Sequence, residues 1–295
     1  MSSHTKPAQP AGAGGMTGRR MLRRPAVRAW LLVGPVTVFL AATFIFPLVE
    51  ILVLSVSGGN HWADAYVEFF TTDFYNIILL RTFGIAFLVT LFCLLLAYPL
   101  AYVIVRVGGG LGFVLLLIVA MSFWTSFLVR IFAWLVILGN RGPVVGILEW
   151  FAPEDTPEVL FTRFSVVLGL VHGMIPFMVM AIYASMRKID PNNLRAAASL
   201  GATPLQGFRH VFLPLSLPGV VNGCTLVFII CAGFYVTPVL LGGAQDQMIA
   251  GLIGQQIEEL LEWGQASAMA MVLLFAILVL YALYNRFVGL DKLWG

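Results

Sequence analysis

The sequence predicts an all-α membrane protein with six transmembrane helices, and three observations carry that prediction. Of the 295 residues, 60% are hydrophobic and only 11% charged, with a mean hydropathy of +0.95. A water-soluble domain needs about 25% charged residues to cover its surface, so the solvent here is largely lipid. Six apolar runs, at 30–56, 75–105, 111–138, 164–186, 217–241 and 265–288, each reach the length that crosses a hydrocarbon core of about 30 Å. Finally, charge alternates between successive connections. One side carries basic residues, among them Arg106, Arg187, Lys188, Arg195, Arg209 and Arg286, against Asp190 and Asp291; the other carries Asp64, Glu68, Glu149, Glu158, Asp246, Glu258, Glu259 and Glu262 among its acids, against Arg141 and Arg163. The positive-inside rule then places both termini in the cytoplasm.

Taken in order, residues 1–28 are rich in Ser, Ala, Gly and Pro and crowd Arg19, Arg20, Arg23, Arg24 and Arg28 before the first run. They are expected to form a disordered basic tail, with 29–295 as the transmembrane domain. The first run is longer than a signal-peptide core, so it is expected to remain as an anchor. Pro35, Pro47, Pro99, Pro176 and Pro238 fall inside the runs, and each removes a backbone donor. Gly169 with Gly173, and Gly219 with Gly223, give spans four and five small faces for close packing. Rocking between states is one reading of these residues; the ordinary enrichment of Gly and Pro in membrane helices is the other. Cys93, Cys224 and Cys231 all lie in apolar runs and read as small packing residues.

Nothing in the pattern builds an embedded catalytic site or a metal centre. His4, His61, His172 and His210 lie in four separate regions, and no helix carries an H-E-x-x-H spacing. The cluster Gly108, Gly109, Gly110 and Gly112 lacks the lysine of a phosphate-binding loop and reads as a turn. This chain is therefore expected to be no enzyme, to bind no cofactor and to leave nucleic acid alone.

The most informative stretch is MRKIDPNNLRAAASLGATPLQGFRHVFLPLSLPG, residues 186–219, between spans four and five. Asp190 before Pro191 is an N-cap with a first-turn proline, opening a short alanine-rich helix that Gly201 can stop. Thr203 and Pro204 repeat the start signal, and Leu205, Phe208, Val211 and Phe212 then follow at helical spacing until Pro214. A basic amphipathic segment lying on lipid headgroups is the alternative reading.

This stretch resembles the cytoplasmic loop of binding-protein-dependent ABC importer permeases, whose pattern is E-A-A, three residues, G, then about nine residues to L-P. Ala196, Ala197, Gly201, Leu213 and Pro214 match it, with Ala202 and Phe208 also fitting, while Arg195 stands where the family usually has glutamate. The resemblance implies a type I importer permease fold whose coupling loop, about 187–216, docks on an ATP-binding subunit. Four further segments, SFWTSFLVRIFAW (122–134), PFMVMAIYASMRKID (176–190), GFYVTPVLLGG (233–243) and MIAGLIGQQIEELLEWGQASAMA (248–270), look like the spermidine/putrescine type. That likeness implies two copies of an ATPase subunit, a second homologous permease and a periplasmic binding protein, in the bacterial inner membrane.

A polyamine cargo brings charges that must be compensated away from water. Within the spans the chain offers Glu50 as a carboxylate, and Trp124, Trp134, Phe234 and Tyr235 as aromatic faces, Tyr235 foremost beside Thr237 and Pro238. Arg81 and Arg130 repel a cation. Packing is the competing role for each aromatic residue, and another small amine-bearing solute stays open. The acidic segment 255–262 is a candidate docking surface for the binding protein. The rival classes are an ion-coupled secondary transporter and a membrane scaffold, although intramembrane acids and repeated halves, the marks of a carrier, are not evident.

Overall fold

The structure, a computed structural model, describes residues 25–57, 63–151 and 157–288. The expected basic tail therefore lies mostly outside the described residues, although the first helix begins at Pro25, inside it. The chain forms two compact units, Met1–Val53 and Leu54–Gly295. Helix α1 (Pro25–Ser57), whose last four residues belong to the second, carries Pro35 and Pro47. Its two threonine hydroxyls are satisfied within the helix, Thr37 Oγ1 donating to the Val33 carbonyl at 3.0 Å and Thr43 Oγ1 to the Phe39 carbonyl at 2.8 Å.

The second unit runs through α2 (Asp64–Thr71), α3 (Asp73–Val107), α4 (Gly109–Met121), α5 (Phe127–Leu138), α6 (Pro143–Phe151), α7 (Arg163–Met186), α8 (Pro191–Ser199), α9 (Pro204–Gly207), α10 (Leu213–Ala232), α11 (Val236–Leu241), α12 (Ile249–Glu258) and α13 (Trp263–Val288). Among the described residues every regular element is helical. Six stretches are long and apolar enough to cross a membrane: Val33–Ser57, Asp73–Val107, Phe127–Phe151, Arg163–Met186, Pro204–Ala232 and Trp263–Tyr284.

Helices α3, α7 and α10 make the core. The buried face of α3 repeats at helical spacing through Ile85, Ala86, Val89, Cys93, Ala97, Ala101 and Ile104, and meets Val166, Leu170, Met178 and Ile182 of α7. Gly219 and Gly223 explain how close α10 comes to α7. A Cβ at Gly219 would lie 2.4 Å from Ser185 Cβ, and one at Gly223 would lie 2.7 Å from Met178 Sδ. The other glycine pair does not share this interface. Gly169 faces Leu241 of α11, where an added Cβ would stand 2.6 Å from Leu241 Cδ1, and Gly173 faces Phe127 and Arg130 of α5. The three cysteines are free thiols, two buried and Cys224 half-buried.

Two expected spans are interrupted. The run 111–138 divides into α4, a 3-10 turn at Ser122–Trp124, extended Thr125 and Ser126, and α5. The run 217–241 breaks at Gly233–Tyr235, so that α11 is a separate short helix. Hydropathy detects neither break because both stretches stay apolar throughout. The second helix of the loop does not end at Pro214 as the sequence suggested. A π-helical turn at Phe208–Phe212, in which the Leu213 N–H reaches the Phe208 carbonyl, carries α9 directly into α10. Widening the turn keeps the proline ring clear of the preceding carbonyl, so helix continues from Pro204 to Ala232.

Candidate functional site

The loop between α7 and α10 is held by caps written in its own sequence. Asp190 accepts from the Asn192 N–H at 2.9 Å, and Pro191 opens α8. At the other end the Ala202 N–H bonds the Ala197 carbonyl and the Gly201 N–H the Ala198 carbonyl, both at 3.0 Å. That paired closure is a Schellman motif, and Gly201 supplies the left-handed residue it requires, at φ +86°. Thr203 and Gln206 then form a reciprocal capping box, the Thr203 N–H bonding Gln206 Oε1 at 2.8 Å and the Gln206 N–H bonding Thr203 Oγ1 at 3.3 Å.

Between the two starts the loop offers a shallow concave surface of about 430 Å³ lined by Ala197, Leu200, Gly201, Ala202, Gln206, His210 and Val211. Leu200 is 89% exposed and Leu205 73% exposed, which presents apolar surface beside this depression. Arg195 is exposed on the same helix and donates to Asn192 Oδ1 at 3.3 Å, a bond made within the loop itself. Ala196 also lies on α8. Leu213 and Pro214 lie at the start of α10.

An aromatic cluster fastens this surface to the core. Phe208 stacks on Phe212 with centroids 5.9 Å apart, and meets Tyr98 and Tyr102 of α3 edge-on at 6.3 and 5.5 Å. Tyr98 OH pairs with Ser216 Oγ of α10 at 3.0 Å, and Arg106 Nη1 donates to Tyr102 OH at 3.0 Å. Sequence reasoning selected Phe208 and missed both tyrosines. Their i, i+4 spacing on one helix face was the available signal.

The two helix breaks face one another across a second site. A cleft of about 560 Å³ is lined by Ser122, Phe123, Trp124, Thr125, Ser126, Phe127 and Arg130 from the first break, Gly173, Met174, Pro176 and Phe177 from α7, and Ile230 and Phe234 beside the second. Phe127 packs on Phe234 with centroids 4.8 Å apart, and Phe123 meets Phe177 edge-on at 4.9 Å. Of the aromatic residues singled out, Trp124 and Phe234 line the cleft, Trp124 being 80% exposed. Tyr235 stands just before α11, half-exposed, and is not part of the lining. Trp134 instead donates its indole N–H to His172 Nδ1 at 3.0 Å. Glu50 is exposed on α1, in the other unit. Among the described residues no group of three or more His, Cys, Asp or Glu converges as metal ligands.

At one end of α7, Arg163 pairs with the buried Asp246 at 3.3 Å, and Ser165 Oγ donates to the Leu241 carbonyl at 2.7 Å. These two contacts tie the segment beyond the second break to the start of α7. On α12, Gln255 Nε2 donates to Glu259 at 2.9 Å, and Glu258, Glu259, Leu260, Leu261 and Glu262 are exposed. The acidic segment singled out from the sequence is thus largely at the surface.

Residues 82–290 match the family of binding-protein-dependent transport system inner membrane components. The spermidine/putrescine transport system permease protein PotB of Escherichia coli (strain K12) is 34% identical over 209 residues, covering 70% of this chain and 76% of the relative. The protein of the same name from Haemophilus influenzae (strain Rd) is 32% identical over 259 residues, covering 82% and 91%. A crystal structure of a bacterial alginate ABC transporter, in complex with an alginate pentasaccharide-bound periplasmic protein, contains a chain of the same fold at 19% identity. The TM-score is 0.72, over 88% of this chain and 94% of that one. An inward-facing MetNI methionine ABC transporter matches with a TM-score of 0.54 at 18% identity, over 71% and 92%. The chain belongs to the binding-protein-dependent inner membrane permease family. It is a multi-pass permease subunit of an ABC importer, with the type I fold.

Proposed function

We propose that this subunit moves a polyamine-like, amine-bearing solute from a periplasmic binding protein to the cytoplasm by alternating access, driven by ATP hydrolysis on two copies of a separate ATPase subunit. The observation that carries the reading is the continuous helix Pro204–Ala232. It begins beside the exposed Leu200 and Leu205 and ends against Phe234 in the cleft wall, so a displacement of the loop has one continuous stretch of helix to travel along to the cleft. Coupling of this kind requires the loop to contact the ATPase differently in each state.

The basic loop side faces the cytoplasm in this reading, with both termini, and the acidic segment 255–262 faces the binding protein. Polyamine relatives support the solute class, and Phe123, Trp124, Phe127 and Phe234 supply aromatic faces to ammonium groups. A second homologous permease closes the other wall and contributes the carboxylates that this wall lacks. The test is co-purification and reconstitution with the ATPase, permease and binding-protein partners, followed by uptake of labelled spermidine. ATP-dependent uptake supports the assignment. Uptake that follows a proton or sodium gradient without a bound ATPase replaces it with a carrier, and no spermidine uptake with the partners still bound overturns the polyamine part of the reading.

A further inference from the structure

The first break poses a physical problem that one side chain resolves. Ending α4 and its 3-10 turn within an apolar run leaves backbone carbonyls without helical partners, and lipid offers them no donor. At the break the Ser122 N–H bonds the Ala120 and Val119 carbonyls, which leaves the turn through Ser122 and Thr125 to be held by other means. Arg130, one turn into α5, reaches back instead. Its Nη2 donates to the Ser122 carbonyl at 2.7 Å and the Thr125 carbonyl at 3.3 Å.

Those bonds satisfy the two carbonyls with one nitrogen. The guanidinium charge sits at the carbonyl end of the preceding helical turn, where the peptide dipoles favour a cation. Gly173 of α7 provides the floor, its position standing 3.6 Å from both Arg130 Nη1 and Phe127 Cε2 when a Cβ is placed there. The brace thereby spans the same four residues that put Trp124 and Phe127 into the cleft wall.

We infer that Arg130 is a positioning residue for translocation: by donating to the Ser122 and Thr125 carbonyls it fixes the interruption between α4 and α5, and so holds Trp124 and Phe127 in the cleft. The inference rests on the cleft being the solute path. It also changes how the positive charge in the cleft is understood. Arg130 is engaged by the chain's own carbonyls, so it shapes the wall without serving as the group that selects the solute's charge.

The test uses the assembled complex in lipid nanodiscs and vesicles, with Arg130→Met, which keeps bulk and loses the donor, and Arg130→Lys. Lysine keeps the charge and a donor but ends one bond short of Nη2, so it restores the brace in part. Hydrogen exchange of the backbone across 121–130 reads the brace without any solute. The Met variant should exchange about tenfold faster, and the Lys variant should fall between it and wild type. Uptake of labelled spermidine should lose about tenfold in Vmax in the Met variant with KM within about twofold, and Lys should recover part of it.

Unchanged exchange in the Met variant overturns the brace. Faster exchange with wild-type uptake overturns its role in transport, and a KM change at constant Vmax makes Arg130 a solute-contacting group instead. If the Met variant does not assemble, Arg130→Gln, whose amide falls short of both carbonyls, takes its place. In a wild-type complex that imports no spermidine the polyamine reading fails by itself, and the exchange result then decides the brace alone.

Discussion

The loop at 187–216 and the cleft at the two breaks both depart from continuous helix, yet they do so by opposite means. In the loop each turn is closed by its neighbours in sequence: Asp190 at one start, Thr203 with Gln206 at the next, and Gly201 between them at φ +86°. At the cleft no such caps exist at Ser126 or Tyr235, and the chain is held from a distance, by Arg130 reaching back to Ser122 and by Phe127 packing on Phe234. A surface built from local caps keeps its shape when its surroundings move. A cleft held by a few longer-range contacts can change shape when the helices carrying them move.

Several substitutions would break or sharpen that contrast, and the largest effect is expected at Gly201. Gly201→Pro removes the N–H bonded to the Ala198 carbonyl and forbids the positive φ, which together cost about 3 kcal/mol or more locally. Co-purification of the ATPase with the chain should be lost, while the helical content measured by circular dichroism stays close to wild type. Next comes Gly223→Leu. Its Cβ alone would lie 2.7 Å from Met178 Sδ, and overpacking of this kind costs roughly 1–3 kcal/mol. A lowered unfolding temperature in detergent is the readout, and Gly201→Ala should lower it less, since nothing stands within 4 Å of the added Cβ and the cost is only the strain of a side chain at φ +86°, about 1–2 kcal/mol.

Phe208→Ala should cost about as much as Gly223→Leu. It removes the ring that stacks on Phe212 and meets Tyr98 and Tyr102, at a cost of about 2–3 kcal/mol for a partly buried aromatic residue. The ATPase should still bind, with fewer solute molecules moved per ATP. The smallest effect belongs to Asp246→Asn. Its partner Arg163 has a side chain 56% exposed, so the ion pair is screened and its loss should cost less than about 1 kcal/mol, seen as a slight fall in unfolding temperature.

The contrast also explains what could be read in the sequence. The number of spans and the amphipathic, capped loop follow from local rules of hydropathy, capping and proline, and those rules act on neighbouring residues. The cleft was half legible. Trp124 and Phe234 were selected as aromatic residues inside spans, but Tyr235 was preferred because it adjoins Thr237 and Pro238, whereas the chain breaks earlier, at Gly233–Tyr235. From the sequence Arg130 reads as a charge that repels a cation, or as a snorkelling arginine within an interfacial aromatic belt. Its pairing with two carbonyls depends on a break that mean hydropathy does not register. Likewise Pro214 signals a helix end, and only the π turn before it lets the helix run on. The meeting of Gly219 with Ser185, and of Gly169 with Leu241, depends on helix arrangement, which periodicity alone leaves undetermined.

The most direct measurement of the link between loop and cleft is the amount of labelled spermidine taken up per ATP hydrolysed, by wild type and Phe208→Ala in the same reconstituted complex. A fall of about fivefold or more in that ratio, with the ATPase still bound, is the expected result for a loop that drives the cleft through α10. An unchanged ratio, or uptake that proceeds without ATP, would contradict it.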